Sequence, residues 1–217
     1  YTLAVQRQDR AEDIRVLYQE SDFLVPRSVS PDGRFLLYLT FQDSTSWDIK
    51  RLDLTDNTIS DFIVSEGLQA APRYSPDGTW VLYSQEGRGT KRTLRVADAA
   101  NPQRSVPVVD DIDRATTVQW APDGDGIVVR HQEAFQLYPL QIRGAQIRVG
   151  LAQVLQRENF LNGRDFATAD IQADLSHAIV LVPAEESGFG GSDDYEVLVT
   201  NWFDVLREKV PVTGAGD

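Results

Sequence analysis

The chain has 217 residues, 41% hydrophobic and 25% charged, with a formal net charge of −12 and no cysteine. That charge argues against nucleic acid or an anionic lipid surface as partner, since both demand a basic face. The missing cysteines exclude disulfides, thiol catalysis and Cys-ligated metal, and no apolar run is long enough to span a bilayer as a helix. Residues 2–6 and 14–18 are strand-like and read as the last two strands of a partial blade over about 1–20. Their first two partners are expected ahead of Tyr1. With no Met start and no signal peptide, the sequence reads as a processed product, a domain or part of something longer.

Four strands are then expected at 24–29, 35–40, 47–54 and 59–64, a blade over 24–65. A second blade (68–110) is expected from 70–74, 80–84, 93–97 and 105–109. The third (114–156) comes from 116–120, 127–131, 134–140 and roughly 146–155. The last blade, 165–200, is modified. Strands are expected at 166–171, 178–182 and 195–200, and the 185–194 loop is rich in Gly and acid. A helix over 202–209 replaces its fourth strand, with Asn201 as N-cap, Trp202, Phe203 and Leu206 on one face and Pro211 as the stop. Residues 212–217 read as a flexible tail.

The period that organises these segments is carried by one motif. Ser30-Pro31-Asp32-Gly33 returns as Ser75-Pro76-Asp77-Gly78 and as Ala121-Pro122-Asp123-Gly124, offset by 45 and then 46 residues. Asp-Gly between strand-like runs signals a tight hairpin, because Gly accepts the positive φ the turn needs and Pro cannot sit in a ladder interior. Asp32, Asp77 and Asp123 are therefore read as turn formers, not as reacting carboxylates. Tyr38 matches Tyr83, and Tyr74 matches Trp120, at the same offsets, as aromatics packed between blades would. A repeat of this length built from short strands predicts an all-β chain, a β-propeller of four-stranded antiparallel blades: three complete, a partial first and a modified last, with a short C-terminal helix.

The stretch 73–83, with the motif at Trp120–Gly124, Asp170-Ile171, Pro183–Ser187 and the closing Asn201-Trp202-Phe203 with Leu206, resembles the TolB-like or PD40 class of bacterial propeller. It is similar in particular to the C-terminal propeller of membrane-linked bacterial Ser/Thr kinases. The likeness spans about 24–211 and departs at Asp174-Leu175, where Asp-Gly is usual. It implies a propeller and an extracytoplasmic, periplasmic setting, and it implies no catalysis.

Residue chemistry agrees. His131 and His177 stand alone, with neither a cysteine nor a second histidine nearby to complete a metal set. No Gly-x-Ser-x-Gly elbow, kinase loop or phosphate-binding Lys follows a Gly-rich turn. The acids Asp110, Asp111 and Asp113, and the pair Asp193-Asp194, lack the spacing of a calcium loop and read as solvated loops. No catalytic, cofactor or metal residue is assigned. In an up-and-down blade, the first-to-second and third-to-fourth turns leave from one face and the remaining links from the other. That second face, where loops vary, is the expected seat of recognition. It places Gln42, Asp43, Trp47, Arg88, Lys91, Asp110, Asp111 and Asp113 as candidate partner-binding residues. The expected function is a non-catalytic interaction or sensor module, or an accessory subunit docked on a larger bacterial envelope complex. Its partners would be other, membrane-associated protein subunits or domains. The alternative is the propeller of a serine peptidase or other enzyme with its catalytic domain elsewhere.

Overall fold

The computed structural model describes residues 1–7, 10–86, 91–112, 118–121, 123–131, 134–143, 146–157, 168–171, 178–183 and 195–200. All regular structure among them is strand. Eighteen strands run in chain order, from β1 (Thr2–Arg7) and β2 (Arg10–Gln19) to β18 (Tyr195–Thr200). The chain divides into two compact units, Tyr1–Arg114 with Gly144–Ile147, and Ala115–Arg143 with Arg148–Asp217.

The first unit starts with the antiparallel pair β1–β2. The next sheet has the order β3 (Leu24–Val29), β4 (Phe35–Gln42), β5 (Ser46–Asp53), β6 (Ile59–Ile63). It is followed by β7 (Gln69–Tyr74), β8 (Trp80–Glu86), β9 (Arg92–Asp98), β10 (Ser105–Ile112), again side by side in sequence order. Both are antiparallel up-and-down sheets, as expected of propeller blades.

The repeat motif closes the first hairpin of each sheet. Gly33 and Gly78 sit at φ 74° and 75°, and their amides donate to Ser30 O and Ser75 O at 2.8 and 2.9 Å. The serine of the motif is structural. Ser75 Oγ donates to Asp77 Oδ1 at 2.6 Å and accepts the Trp80 amide at 2.9 Å. Ser30 Oγ does the same between Asp32 and the Phe35 amide. Each aspartate also accepts an amide two residues on, from Arg34 and Thr79, both at 3.0 Å. These are Asx turns, in which the side chain holds the backbone in its bend.

Strand β4 is apolar on consecutive residues because both of its faces are buried. Leu36 and Tyr38 face one side, packing with Leu3, Leu17, Leu24 and Leu52. Leu37 and Leu39 face the other, with Ile49, Phe62, Ile63 and, from the next sheet, Val81, Tyr83 and Ala97. Tyr38 and Tyr83, matched by the repeat, thus hold the same position, each turned to the preceding sheet. Burying each such large side chain contributes about 1.5–3 kcal/mol.

A further sheet has β11 (Val118–Trp120), β12 (Gly126–His131), β13 (Ala134–Arg143) and β14 (Gln146–Val149) in order, and β15 (Gln153–Arg157) also pairs with β13. The single strand expected over 146–155 is therefore two. The break falls at Gly150, whose amide turns to Pro139 O at 2.7 Å, and β15 resumes against Ala134–Leu137. The motif turn recurs with Gly124 at φ 77°, Ala121 standing where the other two repeats have serine. A three-stranded sheet of β16 (Thr168–Ile171), β17 (Ala178–Pro183) and β18 matches the expected strands of the last blade. The predicted helix 202–209, the worn turn at 172–175 and the 185–194 loop lie outside the described residues.

Candidate functional site

The two ends of the strands in the first unit differ in chemistry. The end carrying the motif turns also carries the turns after β5 and β9, and its carboxylates are spent on the fold. Asp53 accepts Thr55 N at 2.9 Å, Thr55 Oγ1 at 2.6 Å and Arg34 Nε at 3.0 Å. Those bonds, the Thr55 hydroxyl foremost, hold its carboxyl down to about 2. Asp56 accepts the amide and hydroxyl of Thr58, and Asp98 accepts the amides of Ala100 and Asn101. Burial pushes the Asp77 carboxyl up, but the bonds from Ser75 and Thr79 outweigh it and leave it below the ordinary range. Carboxylates so engaged present little to a partner.

The opposite end is built from segments 20–23, 43–45 and 64–68 together with the strand termini beside them. Antiparallel pairing sets Phe41 opposite Trp47 and Gln42 opposite Ser46. The β4–β5 connection is thus three residues long, with Ser46 at φ 80°. Four aromatic rings meet here. Tyr1 and Phe23 lie 4.6 Å apart, Phe23 and Trp47 6.1 Å, and Phe41 and Trp47 5.7 Å, edge to face. Trp47 is half-buried and packs on the core around Leu37 and Ile49. Phe23 and Phe41 are 50% and 36% exposed, well beyond what rings of a closed core would show. Asp22 and Asp43 beside them are exposed. The Glu20 carboxylate takes the Tyr18 hydroxyl, whose pKa is raised by burial and by that bond.

The link between the two four-stranded sheets is pinned from within. Gln69, fully buried, aims Nε2 at Ser65 O, Ser65 Oγ and Gly67 O at 3.2, 2.9 and 2.9 Å. The Leu68 amide donates to Glu86 Oε2 at 3.3 Å, and the Glu86 amide returns to Leu68 O at 2.7 Å. Gly67, at φ 89°, supplies the left-handed residue this tight path requires. Thr40 and Asp48, directly opposed across β4 and β5, are both buried, and Asp48 accepts the Thr45 hydroxyl. Fixed loops on a packed scaffold bind with less ordering cost than mobile ones.

Of the residues expected from sequence, the structure brings Gln42, Asp43 and Trp47 together. Gln42 is a half-buried strand end, not a loop residue, because β4 runs on to pair with Ser46. Lys91, half-buried, belongs with the next sheet. Asp110 and Asp111, expected in a loop, are instead part of β10. That strand extends to Ile112, which pairs with Arg92, across a bulge where Asp111 takes φ 58°. Asp110 accepts Thr93 Oγ1 at 2.9 Å. Arg88 and Asp113 lie outside the described residues. Tyr1, Phe23 and Phe41 were not anticipated; the one local signal was an aromatic continuing β4 beyond its buried run. Among the described residues no group of three or more His, Asp or Glu side chains could hold a metal ion, and no helix is long and apolar enough to cross a membrane.

No family model matches the chain. It is similar to an uncharacterised protein, Atu1656, of Agrobacterium fabrum, 28% identical over 100 residues, 46% of this chain and 33% of that protein. Among solved structures it resembles TolB from Acinetobacter baumannii with TM-score 0.67 and 20% identity, over 94% of this chain and 47% of that one. It also resembles the β-propeller domain of the Trilobed protease from Pyrococcus furiosus, with TM-score 0.55 and 15% identity, over 92% of this chain and 60% of that one. The chain therefore spans less than two thirds of each. The fold is a TolB-like β-propeller. These likenesses bear on the fold and not on the kinase-linked resemblance read from the sequence.

Proposed function

We propose that this chain is a non-catalytic propeller module that docks other protein subunits or domains, on the extracytoplasmic side of a bacterial envelope. The observation that carries this reading is the contrast between the two strand ends of the first unit. At one end the carboxylates and hydroxyls serve the turns. At the other, exposed rings and acids stand on loops held in place by buried bonds. Surface of that kind suits a macromolecular partner better than a small substrate. The TolB-like fold and the bacterial resemblance support the setting.

Native mass spectrometry of the full-length protein isolated from its source tests this. The expected result is a stoichiometric complex with another polypeptide. Recovery of the protein alone, with hydrolytic turnover of peptides, would favour the second reading, a propeller attached to a peptidase. That reading draws support from the likeness to the Pyrococcus furiosus protease propeller.

A further inference from the structure

We propose that the ring cluster of Phe23, Phe41 and Trp47, with its acidic rim, docks a polypeptide segment of a partner protein that carries Arg or Lys beside an apolar side chain. The proposal rests on the interaction-module reading and names the site and the chemistry of its partner.

Charge identifies the occupant. Segments 20–23, 41–47 and 64–68 contain Glu20, Asp22, Asp43 and Glu66 and no Lys or Arg. Lys91 and Arg92, basic residues at this end, belong to the next sheet, where Arg92 stands opposite Glu86. Asp22, Asp43 and Glu66 are all exposed. On leaving β6, whose Ile63 pairs with Ile49, the chain carries Val64, 39% exposed, and Glu66 toward the end of β5 that holds Trp47. An aromatic centre inside an acidic rim accepts a cation twice over, on the ring faces and at the carboxylates. The same acids oppose a second copy of this chain, which would bring like charge to like. Trp47 is the natural anchor, half-sunk in the core and so already fixed, and tryptophan dominates such centres. The neighbouring motif turns offer no equivalent, since their aspartates are bonded to their own backbone.

The test is a fluorescence-anisotropy titration of the purified protein with three labelled peptides of equal length: alternating Arg-Leu, Glu-Leu and Arg-Ser. The Arg-Leu peptide is expected to bind, weakening as salt rises, with Glu-Leu and Arg-Ser at least roughly tenfold weaker. Trp47→Ala is expected to weaken Arg-Leu by roughly tenfold or more. Since Trp47 also supports the core, Asp22→Lys/Asp43→Lys provides a second variant that touches only exposed side chains and has the same expected effect. Asp56→Lys/Asp125→Lys, an equal change of charge at exposed turns, should change affinity less than roughly threefold. Equal binding of Glu-Leu, or loop-end variants no different from the turn variant, overturns the proposal, as does preference for a neutral oligosaccharide over the peptide. A native complex that persists in the Asp22→Lys/Asp43→Lys protein overturns this site while leaving the interaction module standing. Absence of any complex in the wild type overturns the module itself.

Discussion

Replacing Ser75 by Ala removes one oxygen from a turn whose neighbours cannot find another partner. Ser75 is 2% exposed and Trp80 is 7% exposed, and the Trp80 amide donates to Ser75 Oγ at 2.9 Å. With that acceptor gone the amide is a buried donor with no water at hand, which costs about 1–3 kcal/mol. The second bond lost, Ser75 Oγ to Asp77, costs less, because Asp77 is exposed and keeps the amide and hydroxyl of Thr79. The expected destabilisation is therefore about 1–3 kcal/mol, a roughly five- to 160-fold shift in the opening equilibrium of the β7–β8 hairpin. Ser30→Ala is the internal control. Its amide partner is that of Phe35, which is only half-buried, so water replaces part of the loss, and about 0.5–1.5 kcal/mol is expected. The assay is native-state hydrogen exchange, read at the Trp80 and Phe35 amides, with urea unfolding alongside. Ser75→Ala with wild-type stability and a still-protected Trp80 amide would refute the role assigned to the serine.

The two motif glycines separate conformation from space. Gly33→Ala meets nothing within 4 Å and should cost only the positive-φ penalty, about 1–2 kcal/mol, whereas Gly78→Ala also presses on Pro31 Cδ at 3.1 Å and should cost more in urea unfolding. The matched tyrosines should respond in opposite ways. Tyr38 has a buried hydroxyl with no partner, so Tyr38→Phe is expected to be neutral or stabilising. Tyr83→Phe, whose hydroxyl bonds Ser105 and Arg95 at 3.2 Å, should lose about 1 kcal/mol, and equal effects in thermal or urea melts would contradict this. For acid, the Asp53 carboxyl is depressed from an ordinary 3.8 to about 2. Its contribution is thus complete above pH 4 and lost as pH falls from about 4 to 2. Asp53→Asn should flatten that limb of the pH–stability curve, and an unchanged limb would count against the linkage.

What could be read from residue order was what the repeat imposes locally. A turn that needs positive φ at glycine, and a strand buried on both faces, both leave marks within ten residues. The strands of the two four-stranded sheets accordingly fell close to their expected places. Asp110 and Asp111 did not, since two adjacent acids look like loop. A bulge that turns Asp111 into the left-handed region and lets Thr93 bond Asp110 is visible only once β9 is alongside. The division of 146–157 into two strands depends likewise on which part of β13 each piece meets. The ring cluster was least legible. Its members are drawn from positions 23, 41 and 47, and only the pairing of β4 with β5 and the packing of segment 20–23 bring them together. The motif serine was within reach, since its absence at Ala121 marks it as a variable part of the turn, but its work is done through an amide five residues away.

The most direct test of the claim that the loop end recognises a partner is site-specific photo-crosslinking in the full-length protein within its native cells. A photoreactive residue is placed in turn at Asp43, at the loop end, and at Gln103, exposed among the turns at the other end. Abundant adduct to a single partner polypeptide from position 43, and little from position 103, is the predicted result. Adduct from position 103 alone, or equally from both, would contradict it.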